Sequence, residues 1–240
     1  DTVPSLLGQA HDPENRYSLP YIWGATGLYY NSVSLPEGVT RWADLWDDKY
    51  QQQVMLIDDI RDVFGMALKL NGYSVNSKNP EEIKKAYESL AALQKNVLLY
   101  NSDAPHVPYV TGEALVGMQW NGNAYQGQQE VPELKFVMPT EGAGLWMDNF
   151  TIPSGSEHKA LAHKFINFMY SPENQAEITN TLGYASATKS GRALLAPELR
   201  DNATIFPSDE DMARGEFLND VGPEALAIYE KYWQQLRTQQ

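Results

Sequence analysis

Short apolar, β-rich runs alternate along this chain with segments of helical periodicity. The runs 18–23 (Ser-Leu-Pro-Tyr-Ile-Trp), 26–30 (Thr-Gly-Leu-Tyr-Tyr) and 54–57 (Val-Met-Leu-Ile) read as strands, the first two separated at Gly24. Further strands are expected at 97–100, 115–118, 134–137 and 146–152, the last closed by Pro153. Helical spacing covers 63–70, 159–170 and 224–236. Two more helices signal their starts: Asn79 caps one, with Pro80 at its first position and Glu81 and Glu82 in its first turn, and Ser171 caps the other ahead of Pro172. In the former, Ile83, Ala86, Tyr87, Leu90 and Leu93 fall on one face. In the last helix Leu226, Tyr229, Tyr232 and Trp233 do the same. Strands that alternate with amphipathic helices predict an α/β fold, a sheet with helices packed on its faces.

Composition narrows the function classes. At 240 residues the chain is one large domain or two small ones, and 42% hydrophobic with 20% charged residues is ordinary globular usage. No apolar run approaches the ~20 residues that a membrane span needs. The net charge of −13 repels phosphate backbones, which argues against nucleic acid as a partner and admits a cationic ligand; acidity also serves plain solubility. Cysteine is absent, so thiolate nucleophiles, thiolate metal sites and disulfides are absent with it. Of the four histidines only His158 and His163 are close in sequence, and no HExxH pattern occurs, so no metal is expected. Phosphate-binding glycine loops and GxSxG elbows are also missing.

Candidate chemistry gathers at three places. Asp58, Asp59 and Asp62 directly follow the strand 54–57, where open α/β sheets bind ligands, and Asp59 and Asp62 share one side of any helix begun there. On residue type alone the plainer reading, an aspartate capping that helix, is favoured. Trp42 and Trp46 are four apart and read as core. Trp120 and Trp146 each end a strand-like run and are followed by polar residues, as Trp120-Asn-Gly-Asn123 and Trp146-Met-Asp148. An indole face beside a carboxylate suits an ammonium group, and a packed structural tryptophan is the alternative at both places. Tyr29 and Tyr30 adjoin on a strand, a pattern that more often packs one ring and exposes the other than binds a ferric ion. Asp59 and Asp148 could also serve a carboxylate-pair hydrolase.

Several stretches resemble the periplasmic spermidine/putrescine-binding proteins of polyamine ABC transporters. They are Tyr17-Ser-Leu-Pro-Tyr-Ile-Trp-Gly-Ala-Thr26, Leu56-Ile-Asp-Asp59 with Val63-Phe-Gly-Met-Ala-Leu68, Tyr100-Asn-Ser-Asp103, Met118-Gln-Trp-Asn-Gly122, Gly144-Leu-Trp-Met-Asp148, Leu182-Gly-Tyr184 and Asn219-Asp-Val-Gly222. They follow the family's order along essentially the whole chain. The resemblance implies a two-lobed periplasmic-binding-protein fold of type II with the polyamine held between the lobes. It implies that Asp59 and Asp148 each pair with an ammonium group, that Trp120 and Trp146 sandwich the methylene chain, and that Tyr184 adds a hydroxyl or aromatic wall. Trp23 and Thr26 would lie near the hinge as lesser site candidates. Two site positions depart from the family. Asp62 stands where the family has the longer glutamate, and Leu218 stands where it has a glutamine amide, which an alkyl group cannot replace as an acceptor.

Family members also carry roughly a hundred further residues ahead of the stretch that matches Asp1, enough for most of one lobe's sheet. The resemblance therefore implies a complete lobe from 25–146 with 193–240, and the remainder of a second from 1–24 with 147–192. That remainder is expected to leave sheet edges and apolar surface uncovered, either because the chain is a fragment or because a second chain supplies the missing segment. The function implied is periplasmic capture of putrescine or spermidine and delivery to an inner-membrane ABC permease, without catalysis and without a cofactor. A polyamine-loaded sensor subunit acting on a membrane receptor and a carboxylate-pair hydrolase are the alternatives.

Overall fold

A computed structural model describes residues 1–238. In chain order its elements are β1 (Ser18–Asn31), β2 (Val54–Leu56), α1 (Ile60–Leu70), α2 (Pro80–Leu93), β3 (Val97–Tyr100), α3 (Val107–Val110), β4 (Val116–Trp120), α4 (Asn121–Glu130) and β5 (Leu134–Val137). They continue with β6 (Gly144–Thr151), α5 (Lys159–Met169), α6 (Pro172–Leu182), β7 (Ala185–Ser186), α7 (Lys189–Leu194), α8 (Pro197–Arg200), α9 (Asp209–Arg214), β8 (Glu216–Phe217) and α10 (Gly222–Arg237). No helix among the described residues is long and apolar enough to cross a membrane.

One strand organises the molecule. The two runs expected on either side of Gly24 are a single 14-residue strand, β1. Residues Thr26–Tyr30 pair antiparallel with β4 and Leu28–Asn31 with β5, whereas Ser18–Ala25 pair with β6 and Ile22 and Trp23 with β7. Between Ala25 and Thr26, β1 therefore changes partners and passes from one part of the sheet to another. Gly24 does not break it. A Cβ there would come within 2.2 Å of Asn121 Oδ1 and 2.5 Å of the Trp146 ring, so the glycine serves close approach rather than a turn. Beyond β4 the order runs to β2 and β3 with parallel pairing, and beyond β6 to β8, also parallel.

Beside a compact cluster of Tyr29, Met55, Tyr109, Ala114, Ala124 and Leu134, the buried apolar residues fill two further cores, one on each side of the β1 switch. The larger packs Trp42, Phe64, Ile83, Leu90 and Tyr229 between α1, α2, α10 and the β2–β4 side of the sheet. The smaller gathers Leu6, Trp23, Ala185, Leu195, Ile205 and Phe206. Leu195, Ile205 and Phe206 fall within 193–240, the stretch expected to accompany the complete lobe, yet they pack with Trp23 and Ala185. Only from Val221 onward does the chain return to the larger core. Trp23 buries its ring in the smaller core and donates from Nε1 to the Ser186 carbonyl at 3.1 Å, which makes it a packing residue there. Trp42 is a core residue as its spacing predicts, and its Nε1 donates to Gly142 O at 2.9 Å. Tyr29 is fully buried and donates its hydroxyl to Ala124 O, while Tyr30 is only partly covered, as alternation on a strand requires.

Candidate functional site

A cavity of about 390 Å³ opens where β1 changes partners, and all seven expected site residues line it: Asp59, Asp62, Trp120, Trp146, Asp148, Tyr184 and Leu218. Ile22, Arg61 and Asn219 complete the lining. The residues come from both sides of the switch. Asp59 and Asp62 belong to the start of α1, Trp120 ends β4 opposite Thr26, and Trp146 and Asp148 lie on β6 opposite Gly24 and Ile22.

Asp59 bears out its plainer reading, the helix cap, and also lines the cavity. It is the N-cap of α1, its Oδ1 accepting from the backbone N–H of Arg61 at 2.8 Å and of Asp62 at 3.0 Å. Those bonds fix the side chain, and Oδ2 makes no hydrogen bond or ion pair among the described residues. Asp62 is almost wholly buried and satisfied from within the protein. Its Oδ1 accepts from Thr26 Oγ1 at 2.6 Å and its Oδ2 from Trp120 Nε1 at 2.8 Å. Burial, reinforced by the Asp59 charge and opposed by these two hydrogen bonds, pushes its pKa up to about 6. Thr26 thus enters the site as a hydrogen-bond partner of Asp62 and not as part of the wall.

Arg61, whose place between the two aspartates carried no separate signal in the sequence, is the fastener of the site. Its guanidinium donates to Asn219 O at 3.0 Å, to Val75 O at 3.1 Å and to Asn76 Oδ1 at 3.2 Å, which ties the first turn of α1 to the segment bearing Leu218 and Asn219. Leu218 is also anchored by its own N–H to Leu145 O at 2.8 Å. Its Cδ2 and the Asp62 Oδ1 both lie 3.8 Å from the point that a Cβ on Gly144 would occupy, so both side chains border the backbone at the start of β6.

The aromatic walls rest on backbone that only glycine leaves open. The Tyr184 ring sits on Gly122, where a Cβ would approach to 2.2 Å, and its hydroxyl donates to Asn123 Oδ1. Trp146 meets Tyr184 edge-on with ring centroids 5.1 Å apart and lies against Gly24. The polar run after Trp120 that borders this wall is the helix α4, which periodicity did not predict. Its buried positions are Asn121, Gly122, Ala124 and Gly127, with no large apolar stripe to detect. Asp148 is exposed, lacks a hydrogen bond or ion pair among the described residues, and has its pKa raised by partial desolvation. Free carboxylate oxygens from two parts of the sheet, flanked by indole and phenol faces, suit cations joined by an apolar spacer.

Comparison with known proteins agrees with this architecture. Residues 2–207 match the family of bacterial extracellular solute-binding proteins. The chain belongs to that family. A spermidine/putrescine-binding periplasmic protein of Salmonella typhimurium is 44% identical over 235 residues, covering 98% of this chain and 67% of the relative. A corresponding protein of Haemophilus influenzae is 37% identical and covers 98% of this chain and 65% of itself. Among solved structures, the spermidine/putrescine ABC transporter substrate-binding protein of Streptococcus pneumoniae superposes with a TM-score of 0.88 at 31% identity, over 99% of this chain and 73% of that one. A lipoprotein of Treponema pallidum superposes equally well, at 0.88 with 28% identity over 99% and 74%. The chain thus spans about two thirds of the length of the curated relatives it matches. Its fold is the two-lobed α/β fold of type II periplasmic binding proteins, and its family is one of periplasmic solute capture rather than of enzymes.

Proposed function

We propose that the cavity captures a linear polyamine, putrescine or spermidine, and that the protein delivers it to an ABC permease of the inner membrane without chemical change. The observation that carries this reading is the pair Asp59 and Asp148. Each has carboxylate oxygen that makes no hydrogen bond or ion pair among the described residues, Asp59 feeling the Arg61 charge only at longer range, and they stand on elements from opposite sides of the β1 partner switch, with Trp120 and Trp146 lining the same cavity. An ammonium group meets a carboxylate by a charge-assisted hydrogen bond, and methylenes leave water against indole faces. The relatives named for spermidine and putrescine support the same ligand class.

The packing suggests a lobe division at the switch: one lobe from 26–143 with 218–238, the other from 1–25 with 144–217. In this reading Asp59 and Trp120 belong to the first lobe, and Asp148 and Tyr184 to the second. Ligand bound between lobes stabilises their closed arrangement.

Titration calorimetry with putrescine, spermidine and neutral oligosaccharides tests the reading. Saturable binding of the amines alone is expected, with the ligand recovered unaltered. Asp148→Asn should weaken amine binding by about 2 kcal/mol, roughly thirtyfold, the lower end for a charge pair because the carboxylate is exposed. Binding of oligosaccharides with none of amines would refute it, and conversion of the amine would return the hydrolase reading.

A further inference from the structure

β8 is an outermost strand, since the sheet order ends β1-β6-β8 and no further strand pairs with it among the described residues. Toward β6 its ladder is regular: the Glu216 N–H donates to Ala143 O at 3.0 Å and the Leu218 N–H to Leu145 O at 2.8 Å. The groups that alternate with these, the Phe217 carbonyl and the Asn219 N–H, belong to the open edge, where backbone left unpaired is costly if buried and adhesive if exposed. One side chain takes both. Asn76, in the loop between α1 and α2, donates from Nδ2 to Phe217 O at 2.8 Å and accepts from the Asn219 N–H on Oδ1 at 2.8 Å. A residue of a parallel neighbour strand would make the same two bonds with its backbone.

We propose that Asn76, which lies outside the cavity lining, is a positioning residue for ligand capture: its carboxamide stands in for a strand beside β8 and holds Leu218 and Asn219 in place as a preformed wall of the cavity. The inference rests on the polyamine reading of the site. The loop that carries Asn76 is itself pinned at several points. Ser77 O accepts from the Tyr229 hydroxyl of α10 at 2.7 Å, Arg61 donates to Val75 O at 3.1 Å and to Asn76 Oδ1 at 3.2 Å, and Ser74 Oγ donates to Glu216. Glu216 is also paired with Lys69 from the last turn of α1. Asn76 is therefore a fixed point from which the segment 216–219 is hung. Leu218 has no polar atom of its own to hold it, so its place in the wall depends on its backbone. A wall that must be ordered at the moment of binding costs affinity, and one held beforehand does not. Asn76 is only partly buried and sits in a loop, so the loss of its bonds should open 216–219 locally and leave the cores closed.

The test is calorimetry with putrescine, combined with amide exchange, on the full product of the gene. Asn76→Leu keeps the shape of the side chain without its donor and acceptor. It should weaken putrescine about five- to twentyfold, the worth of one to two net hydrogen bonds, while the Tm of the ligand-free protein falls by a few degrees at most. In the ligand-free variant, exchange across 217–219 should be faster than in the unsubstituted protein. Saturating putrescine should slow it again, because the affinity lost is the fraction of free molecules whose wall is out of place. A merely structural role predicts fast exchange with and without ligand. Asn76→Asp keeps the acceptor for the Asn219 N–H and for Arg61 and loses only the donor to Phe217 O, so it should lose less affinity than Asn76→Leu; if Asn76→Leu does not fold, it is read in the same way. Unchanged putrescine affinity in these variants overturns the inference, as does exchange across 217–219 that putrescine does not slow. Either result leaves polyamine binding intact, whereas no binding of any amine by the unsubstituted protein removes that reading as well.

Discussion

Burial raises Asp62 to about 6, and this makes one side chain a reporter on folding and on ligand capture. An aspartate in an unfolded chain titrates near 3.9, so between about pH 4 and 6 the folded state holds a proton that the unfolded state releases. That contribution to stability is fully present below about pH 4 and is lost as pH rises through about 6; its size is on the order of 3 kcal/mol. Asp148, raised by partial desolvation, acts in the same direction. We predict that the difference in Tm between the unsubstituted protein and Asp62→Asn changes across pH 4–6 and is level above pH 7; a difference constant over the whole range contradicts it. A cation entering the cavity favours ionised Asp62, since Asp59, Arg61, Trp120, Asp148 and Tyr184 are its other neighbours in the lining and Arg61 already serves three acceptors. Amine affinity should therefore rise from pH 5 to 7, with proton release on binding near pH 6 visible as a buffer-dependent heat; heats identical in all buffers would exclude it. What the sequence made legible of the candidate site is that the seven expected residues share one cavity. The role of Asp62 was not legible, since its partners Thr26 and Trp120 lie 36 and 58 residues away and only the fold brings them to it.

Elements were legible where a side-chain period or a cap announces them, as for α2 with Asn79 and Pro80 or α6 with Ser171 and Pro172. They were misread where glycine serves something other than a turn. Gly24 divides β1 on paper, yet in the fold it lets Trp146 and the Asn121 side chain press against the strand, and Asn121 accepts from the Ala25 N–H at 3.2 Å. α4 escaped for a related reason: glycines, alanine and asparagine make its contacts, and they leave no hydrophobic stripe. A methyl group at Gly24 must displace Trp146, Asn121 or the strand. Gly24→Ala is expected to cost about 1–3 kcal/mol by overpacking, which for a chain of this size lowers Tm by several degrees, and to weaken amine binding with it. Gly27→Ala is the control on the same strand, because its Cβ would meet Phe136 at 2.6 Å, outside the cavity lining. It should lose stability without losing affinity. Equal losses of affinity in both variants would mean that Gly24 acts on the fold alone and not through the Trp146 wall.

At the scale of the molecule, the two cores are unequal, and the surface of the smaller part shows it. The larger core carries fully buried Trp42, Phe64 and Leu45 with α1, seven of whose residues are buried, against the sheet. α5 buries none of its residues. Its Leu161, Phe165 and Phe168 are 65%, 54% and 62% exposed and lie at four- and three-residue spacing, so they form one apolar stripe. The helical spacing over 159–170 predicts this helix, but periodicity says only that a face is apolar and not what it meets. A helix held by so few buried contacts opens at low cost, whereas opening α1 requires disrupting the larger core. Amide exchange in the 240-residue chain should therefore be much faster across Lys159–Met169 than across Ile60–Leu70. The stripe should also drive self-association. Replacing Leu161, Phe165 and Phe168 together by glutamine removes exposed apolar area without emptying a core, so each change should alter stability by no more than about 0.5 kcal/mol. Sedimentation should then show less association with Tm unchanged within a few degrees. Protection of α5 equal to that of α1, or a collapse of Tm in the triple variant, would show that the stripe is buried in solution and that the smaller part packs as firmly as the larger.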